Sequence, residues 1–233
     1  MTPEEQKRAV GEAAALLVDE TVFTIGLGSG STAACFIEAL ARRLKAADLS
    51  HRTCVATSLG AAGLARSVGL TLVDLDQAGM IDLTVDGADE VGPDLALIKG
   101  AGGALLREKL VWEASRRCVV IADAAKRVEM LGRFPLSIEV VPFGHTTTLR
   151  RITSGLADCG VACTPTLRLR NGGPFTTDGG NYIYDAPCGA ILDPPGVEAA
   201  LKSITGVVEH GLFIGLAEHA LIGTDEGVVT LTR

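Results

Sequence analysis

Five short runs rich in β-branched and aliphatic residues alternate with helical patterns along the first half of this chain. They are VFTIG (22–26), RTCVATS (52–58), TLVDL (71–75), IDLTVD (81–86) and CVVIAD (118–123). Between them the spacing predicts helices from about Thr32 to Lys45, over 60–68 and over 104–116. A further helix is expected over 3–18, with Thr2 as cap, Pro3 in the first turn, and Glu4 and Glu5 at the positive end of the helix dipole. Strands joined through helices run parallel, because only a crossover returns the chain to the same edge. The expected fold class is therefore α/β, with a doubly wound parallel sheet.

The pattern changes after about residue 131. PLSIEVVPF (135–143) reads as a strand, HTTTLRRITSGLADCG (145–160) as a helix stopped at Gly160, and ACTPTLRLR (162–170) and NYIYDA (181–186) as strands. PPGVEAALKSI (194–204) reads as another helix. Strand, helix, two strands and helix make a split α+β order of ferredoxin-like type. The expected division is a first domain of 1–131 and 207–233 with a small α+β domain, 132–206, inserted in it. The tail segments VVEHGLFIG, HALIGT and GVVTLT are expected to return as short strands to the first domain.

Composition narrows the function. A net charge of -7 and a pI near 5.1 argue against nonspecific nucleic-acid binding, which relies on Lys and Arg. Aromatics make up only 4% of the chain, too few for a base-stacking surface. No apolar run reaches the roughly 20 residues a spanning helix needs, and the charged N-terminus does not resemble a secretory leader. None of the six cysteines forms a C-x-x-C pair, and Cys35, Cys54 and Cys118 lie in apolar surroundings. A soluble cytoplasmic protein with reduced thiols is expected, with no membrane partner.

Three segments carry chemistry. GLGSGSTA (26–33) joins a strand to a helix; its glycines permit a tight turn, helical N–H groups point outward, and Ser29, Ser31 and Thr32 add hydroxyls around Gly30. A phosphate suits this loop, although a helix dipole alone contributes only about 0.3–1 kcal/mol at an exposed site. A lysine should help, and Lys7 and Lys126 are the candidates. A dinucleotide fingerprint fits less well, since Ser31 occupies its third glycine position, and no Walker lysine follows. Ordinary capping is the plain alternative. The second strand-to-helix junction, TSLGAAG (57–63), suits either substrate hydroxyls or a simple cap at Ser58.

The richest stretch is Asp86 to Lys109, DGADEVGPDLALIKGAGGALLREK, with five carboxylates, three cations and five glycines in 24 residues. Two like charges about 4 Å apart repel by about 4 kcal/mol at an effective dielectric near 20. Such a cluster calls for a counter-charge or a polar ligand. Asp86 and Asp89 flank the Gly87-Ala88 turn at a strand end, where open parallel sheets bind ligands. Substrate binding ranks first for them, an Asx-type turn second. A metal ranks third, since no histidine lies nearby and the spacing is not that of an EF-hand. Lys99 stands on the glycine-rich turn Gly100-Ala101-Gly102 and suits an oxyanion. Glu108 on the following helix suits a general base if partly buried; taken alone, a surface position beside Arg107 and Lys109 ranks ahead. Glu90 and Asp94 are expected to serve the turn or face solvent. The four histidines and Trp112 are read as structural.

Together these motifs resemble those of the ribose-5-phosphate isomerase A family along nearly the whole chain. The matching segments are Gly26 to Thr32, Asp86 to Glu90 and Ile98 to Lys109, with weaker matches at 122–126, 134–142, 177–185, 210–213 and 220–223. The resemblance implies a Rossmann-like domain carrying the smaller α+β domain, and a homodimer or homotetramer. It implies interconversion of ribose 5-phosphate and ribulose 5-phosphate without a cofactor or metal. By position it makes Glu108 the proton acceptor. Ser29, Gly30, Ser31 and Thr32, with Lys7 and Lys126, would meet the substrate near its phosphate. Asp86, Gly87, Ala88 and Asp89, with Lys99, Gly100, Ala101 and Gly102, would surround the hydroxyls and carbonyl. Ser29 and Ala101 depart from the family's frequent Thr and Gly; the alanine is tolerable if its φ is negative. The rival classes are a non-catalytic sugar-phosphate-binding effector domain and a different enzyme, either a lactonase- or transferase-like member of the same broad fold or a dinucleotide oxidoreductase. Against the oxidoreductase, Thr57-Ser58 stands after the second strand where an acid for the ribose is expected.

Overall fold

A seven-stranded sheet organises the first part of the computed structural model, which describes residues 1–47, 49 and 51–233. Its strand order is Gly227–Thr232, His219–Thr224, Cys118–Asp123, Leu83–Gly87, Thr24–Leu27, Thr53–Ala56, Thr71–Leu72. All neighbours are parallel except the first two, which form an antiparallel hairpin. The strand order reverses between Thr24–Leu27 and Leu83–Gly87, where Leu27 pairs with Val85. The carboxyl ends of those two strands therefore emerge side by side at a topological switch point, the usual ligand crevice of an open α/β sheet.

The central strands read as unbroken apolar runs because both faces are covered. Ile25, Leu27, Leu83, Val85, Val119 and Ile121 are fully buried with Phe36 and Leu40 of the helix Ser31–Ala46. Each such side chain contributes about 1.5–3 kcal/mol. The helix Pro3–Ala15 starts with a capping box: Thr2 Oγ1 accepts the Glu5 N–H, and the Glu5 carboxylate accepts the Thr2 N–H. Gly11 brings it against Ser31–Ala46, since a Cβ there would lie 2.8 Å from the Cys35 carbonyl carbon. One expected strand is shorter than its pattern. Only Thr71–Leu72 of TLVDL pairs, because the Asp74 carbonyl accepts the Gln77 and Ala78 N–H groups and turns the chain into the short helix Leu75–Ala78.

The second part is built on a four-stranded antiparallel sheet, ordered Val207–His210, Leu136–Val140, Tyr182–Ala186, Thr166–Leu167. With the helices His145–Asp158 and Pro194–Lys202 the chain order is β-α-β-β-α-β, the ferredoxin-like arrangement. Leu136, Ile138 and Val140 pack on Ile152, Leu156, Val197 and Leu201. The alternate residues Ser137 and Glu139 point to the opposite face yet are also buried, and both are hydrogen-bonded. A three-stranded antiparallel sheet of Leu212–Phe213, Leu97–Ile98 and Glu90–Val91 belongs to the same part.

This small sheet moves the domain borders. The first unit comprises Met1–Ala88, Arg107–Arg127 and Gly215–Arg233, and the second Asp89–Leu106 and Val128–Ile214, against the expected 132–206. VVEHGLFIG does not return to the first domain: Val207–His210 pairs with Leu136–Val140, and Leu212–Phe213 with Leu97–Ile98. Only the last two strands return to the seven-stranded sheet. The residues 89–106 follow their backbone pairings into the second unit, where Ile98 joins the core with Leu131 and Leu212.

Candidate active site

In the first unit the glycine loop leaves the strand Thr24–Leu27 beside Asp86. The Asp86 carboxylate is fully buried. Its Oδ1 accepts the backbone N–H groups of Ser29 (3.0 Å) and Gly87 (2.7 Å), and its Oδ2 lies 3.4 Å from Trp112 Nε1. These donors offset the cost of taking a carboxylate out of water. Gly28 must be glycine here, because a Cβ would fall 2.1 Å from Asp86 Oδ1. Ser29 Oγ lies 2.8 Å from Thr57 Oγ1 and donates to Ser58 Oγ at 2.7 Å. Ser58 Oγ also accepts the Ala61 N–H, so the helix cap is real and forms part of a hydroxyl cluster.

Gly30 is the N-cap of Ser31–Ala46 with φ +93°, and no side chain caps this helix. Gly30 and Ser31 are exposed, with Thr32 half-buried and Gly87 beside the loop, 3.8 Å from Ser29 O at its Cβ position. An uncapped first turn of a long helix is a site for an anion.

The two candidate lysines converge on the same unit. Gln6, next to Lys7, accepts the Ala124 N–H, which opens the turn Ala124–Lys126. Lys7 Nζ lies 2.9 Å from Glu4 Oε1. That carboxylate, and more weakly the charge of Asp123, raises the Lys7 pKa above its usual value against the opposing effect of burial. Glu108 stands in the first turn of the helix Leu105–Glu113 and is only 5% exposed. It lies one helical turn before Trp112, on the face that reaches Asp86. Glu108 is therefore a buried residue of this helix rather than a surface one.

The second unit carries the remaining candidates. Asp89 is half-buried; its N–H donates to Ile98 O, and its Oδ2 accepts the Ala101 N–H at 2.9 Å. Lys99 is 3% exposed, with its Nζ 5.5 Å above the Phe213 ring and its N–H bonded to Gly211 O. Gly100 has φ +120° and a Cβ there would meet Ser137 at 2.7 Å. Among the described residues only Asp94, Leu95 and Asn171 are non-glycine positions of positive φ, so Ala101 meets the condition its substitution required. Ala101 and Gly102 are exposed. Ala88, half-buried, belongs to the first unit and ends its first stretch of chain.

One expectation needs correction. Glu90 does not face solvent: it is buried and accepts the N–H groups of Gly132 (2.7 Å) and Phe134 (2.6 Å), anchoring backbone inside the second unit. Trp112 packs as expected but also donates to Asp86, which its apolar helical setting did not announce. Arg168 has little local signal; only the alternation of TLRLR hints that it shares a strand face with neighbouring polar groups. Asp94, exposed in the turn Pro93–Leu95, behaves as expected. Among the described residues no group of three or more His, Cys, Asp or Glu is arranged to hold a metal ion, and no helix is long and apolar enough to cross a membrane.

The comparisons with known proteins agree with one another. Residues 53–227 match the family model of ribose 5-phosphate isomerase A (phosphoriboisomerase A). A protein named ribose-5-phosphate isomerase A from Caulobacter sp. (strain K31) is 58% identical over 231 residues, 99% of each chain. A D-ribose-5-phosphate isomerase solved in complex with phospho-erythronic acid superposes with a TM-score of 0.92 at 39% identity over the full length of both chains. Ribose 5-phosphate isomerase A from Methanocaldococcus jannaschii gives a TM-score of 0.91 at 37% identity, also over the full length of both. Matched by the family model over most of its length and 58% identical to a relative end to end, the chain belongs to the ribose-5-phosphate isomerase A family.

Proposed function

We propose that this chain interconverts ribose 5-phosphate and ribulose 5-phosphate through a cis-enediolate, with Glu108 as the base. The observation that carries the assignment is the burial of Glu108 on the helix face that Trp112 ties to Asp86. Glu108 takes the proton from C2 of the open-chain aldose and returns it to C1. The electron pair of the broken C–H bond forms the C1–C2 double bond as O1 becomes an oxyanion. Lys99 and the N–H groups of the Gly100–Gly102 segment stabilise that charge. Asp89 retains Oδ1 for the sugar hydroxyls and for moving the proton between O1 and O2, while Asp86 keeps the glycine loop in register. Gly30, Ser31 and Thr32 receive the phosphate at the helix N-terminus, with Lys7 and Lys126 supplying positive charge.

The relative solved with phospho-erythronic acid fits this reading. A phosphorylated sugar acid carries a planar carboxylate where an enediolate carries O1 and O2, and transition-state-like acids bind such sites well. No cofactor or metal takes part in the proposed reaction. The protein is read further as cytoplasmic, in line with its buried thiols, and, from its family membership, as a homodimer or homotetramer. The test is to incubate the purified protein with ribose 5-phosphate and EDTA and follow ketose formation. Rapid approach to the aldose–ketose equilibrium is expected. Tight binding without ketose would instead indicate an effector domain.

A further inference from the structure

The segment Lys99–Gly103 rests on a polar floor in the second unit, and one side chain dominates it. Arg168 makes five hydrogen bonds, matching the five N–H donors of a guanidinium. Nε donates to Asp185 Oδ2 at 2.8 Å and Nη2 to Asp185 Oδ1. Nη2 also donates to Ser137 Oγ at 2.8 Å, while Nη1 donates to the carbonyls of Gly100 (2.9 Å) and Ala101 (3.2 Å). Ser137 and Asp185 are direct cross-strand partners, so the sheet itself fixes the acceptors on one side. The guanidinium is also 5.6 Å from the centre of the Phe175 ring. That ring abuts Gly103, whose φ is +78° and where a Cβ would fall 2.4 Å from Phe175 Cε1.

A trans peptide points its C=O and the following N–H in opposite directions. Fixing the Gly100 carbonyl therefore aims the Ala101 N–H away from Arg168, and that N–H does reach Asp89 Oδ2. Fixing the Ala101 carbonyl aims the Gly102 N–H the same way, and Gly102 is exposed with nothing within 4 Å of its Cβ position. We propose that Arg168 is a positioning residue: through the Gly100 and Ala101 carbonyls it sets the peptide planes that turn the Gly102 N–H toward the oxyanion formed during isomerisation. This rests on the reading of Lys99–Gly102 as the oxyanion-binding segment. Arg168 need not touch substrate; Asp185 and Ser137 hold it, and it holds the donors.

The charge on the oxyanion develops only along the reaction, so misaligned donors should lower kcat more than they raise KM. Arg168→Met and Arg168→Lys are to be compared with wild type for kcat, KM, fraction folded and inhibition by 4-phosphoerythronate. The expected result, per folded molecule, is a kcat loss on the order of 10- to 100-fold with KM changed by less than about 3-fold. Inhibition by 4-phosphoerythronate should weaken in parallel. Lysine should rescue little, because an ammonium cannot span Asp185 and two carbonyls as a fork does. Added ethylguanidine should restore part of the kcat of Arg168→Met. A kcat per folded molecule within about 2-fold of wild type in Arg168→Lys, or a defect confined to KM, overturns the proposal. If wild type itself makes no ketose, the underlying reading fails instead, so the two failures are distinguishable.

Discussion

Trp112 Nε1 lies 3.4 Å from Asp86 Oδ2 while Oδ1 of the same carboxylate accepts the Ser29 and Gly87 N–H groups. One buried carboxylate thus joins the helix that carries Glu108 to the loop read as the phosphate cradle. Trp112→Phe keeps the aromatic bulk and removes the donor. A hydrogen bond to a charged group contributes about 1.5–3 kcal/mol, so the variant should lose stability of that order, read from the urea midpoint. Its kcat/KM should also fall, because the loop and the helix lose their common anchor. Trp112 is the only tryptophan, so wild-type emission should respond to ribose 5-phosphate. An unshifted midpoint with full activity would remove Asp86 from this linking role.

The glycine loop offers a sharper comparison. At Gly28 a Cβ would stand 2.1 Å from Asp86 Oδ1 and 2.5 Å from its Cα, whereas Gly30 has open space but φ +93°. Gly30→Ala should cost only backbone strain, about 1–3 kcal/mol, with a raised KM from the distorted helix start. Gly28→Ala must also displace the buried carboxylate and should lose more stability and nearly all activity. Thermal midpoints and kcat/KM for the two proteins decide it; an equal or reversed order would show that the Asp86 contact matters less than the local conformation.

These relationships mark how far the sequence could be read. The parallel sheet, the loop at 26–32 and the candidates from Asp86 to Glu108 were legible because each is signalled locally, by apolar runs, turn glycines or charge density. Glu90–Val91 and Leu97–Ile98 were not, since two-residue strands have no periodicity and the outer partner of Leu97–Ile98, Leu212–Phe213, lies far along the chain. That is why nothing local marks 89–106 and 207–214 as part of the second unit, with which they pair. Arg168 was hidden for the same reason: its acceptors come from three separate segments and meet only in the folded second unit. Local patterns identify chemistry; long-range hydrogen bonds decide which backbone it is mounted on.

Buried thiols give a pH prediction. Burial pushes both Cys54 and Cys118 up from 9.0 to about 12. An acid whose folded pKa is raised stabilises the native state fully below its unfolded value and loses that contribution as pH climbs toward the folded one. Stability should therefore be flat with respect to these thiols below about pH 9 and fall between there and about pH 12. Urea midpoints measured from pH 8 to 11 check this, and Cys54→Ala should flatten the alkaline limb. At pH 8, iodoacetamide should leave both thiols unmodified in the native protein and label them after unfolding. Native labelling of Cys54 would contradict the burial argument.

Glu108 provides the most direct test of the chemistry. It is 5% exposed in the first turn of its helix. Glu108→Gln keeps its size and much of its hydrogen bonding but cannot accept a proton from carbon. General base catalysis contributes about 10²–10⁴-fold, so kcat should fall by that factor while KM and the urea midpoint stay near wild type. Ribose 5-phosphate deuterated at C2 supplies a second readout: wild type should move the label to C1 or lose it to solvent, and the variant should leave it in place. If Glu108→Gln turns over at the wild-type rate, or exchanges the C2 deuterium normally, another residue takes the proton and the assignment of the base moves elsewhere in the Asp86–Lys109 stretch.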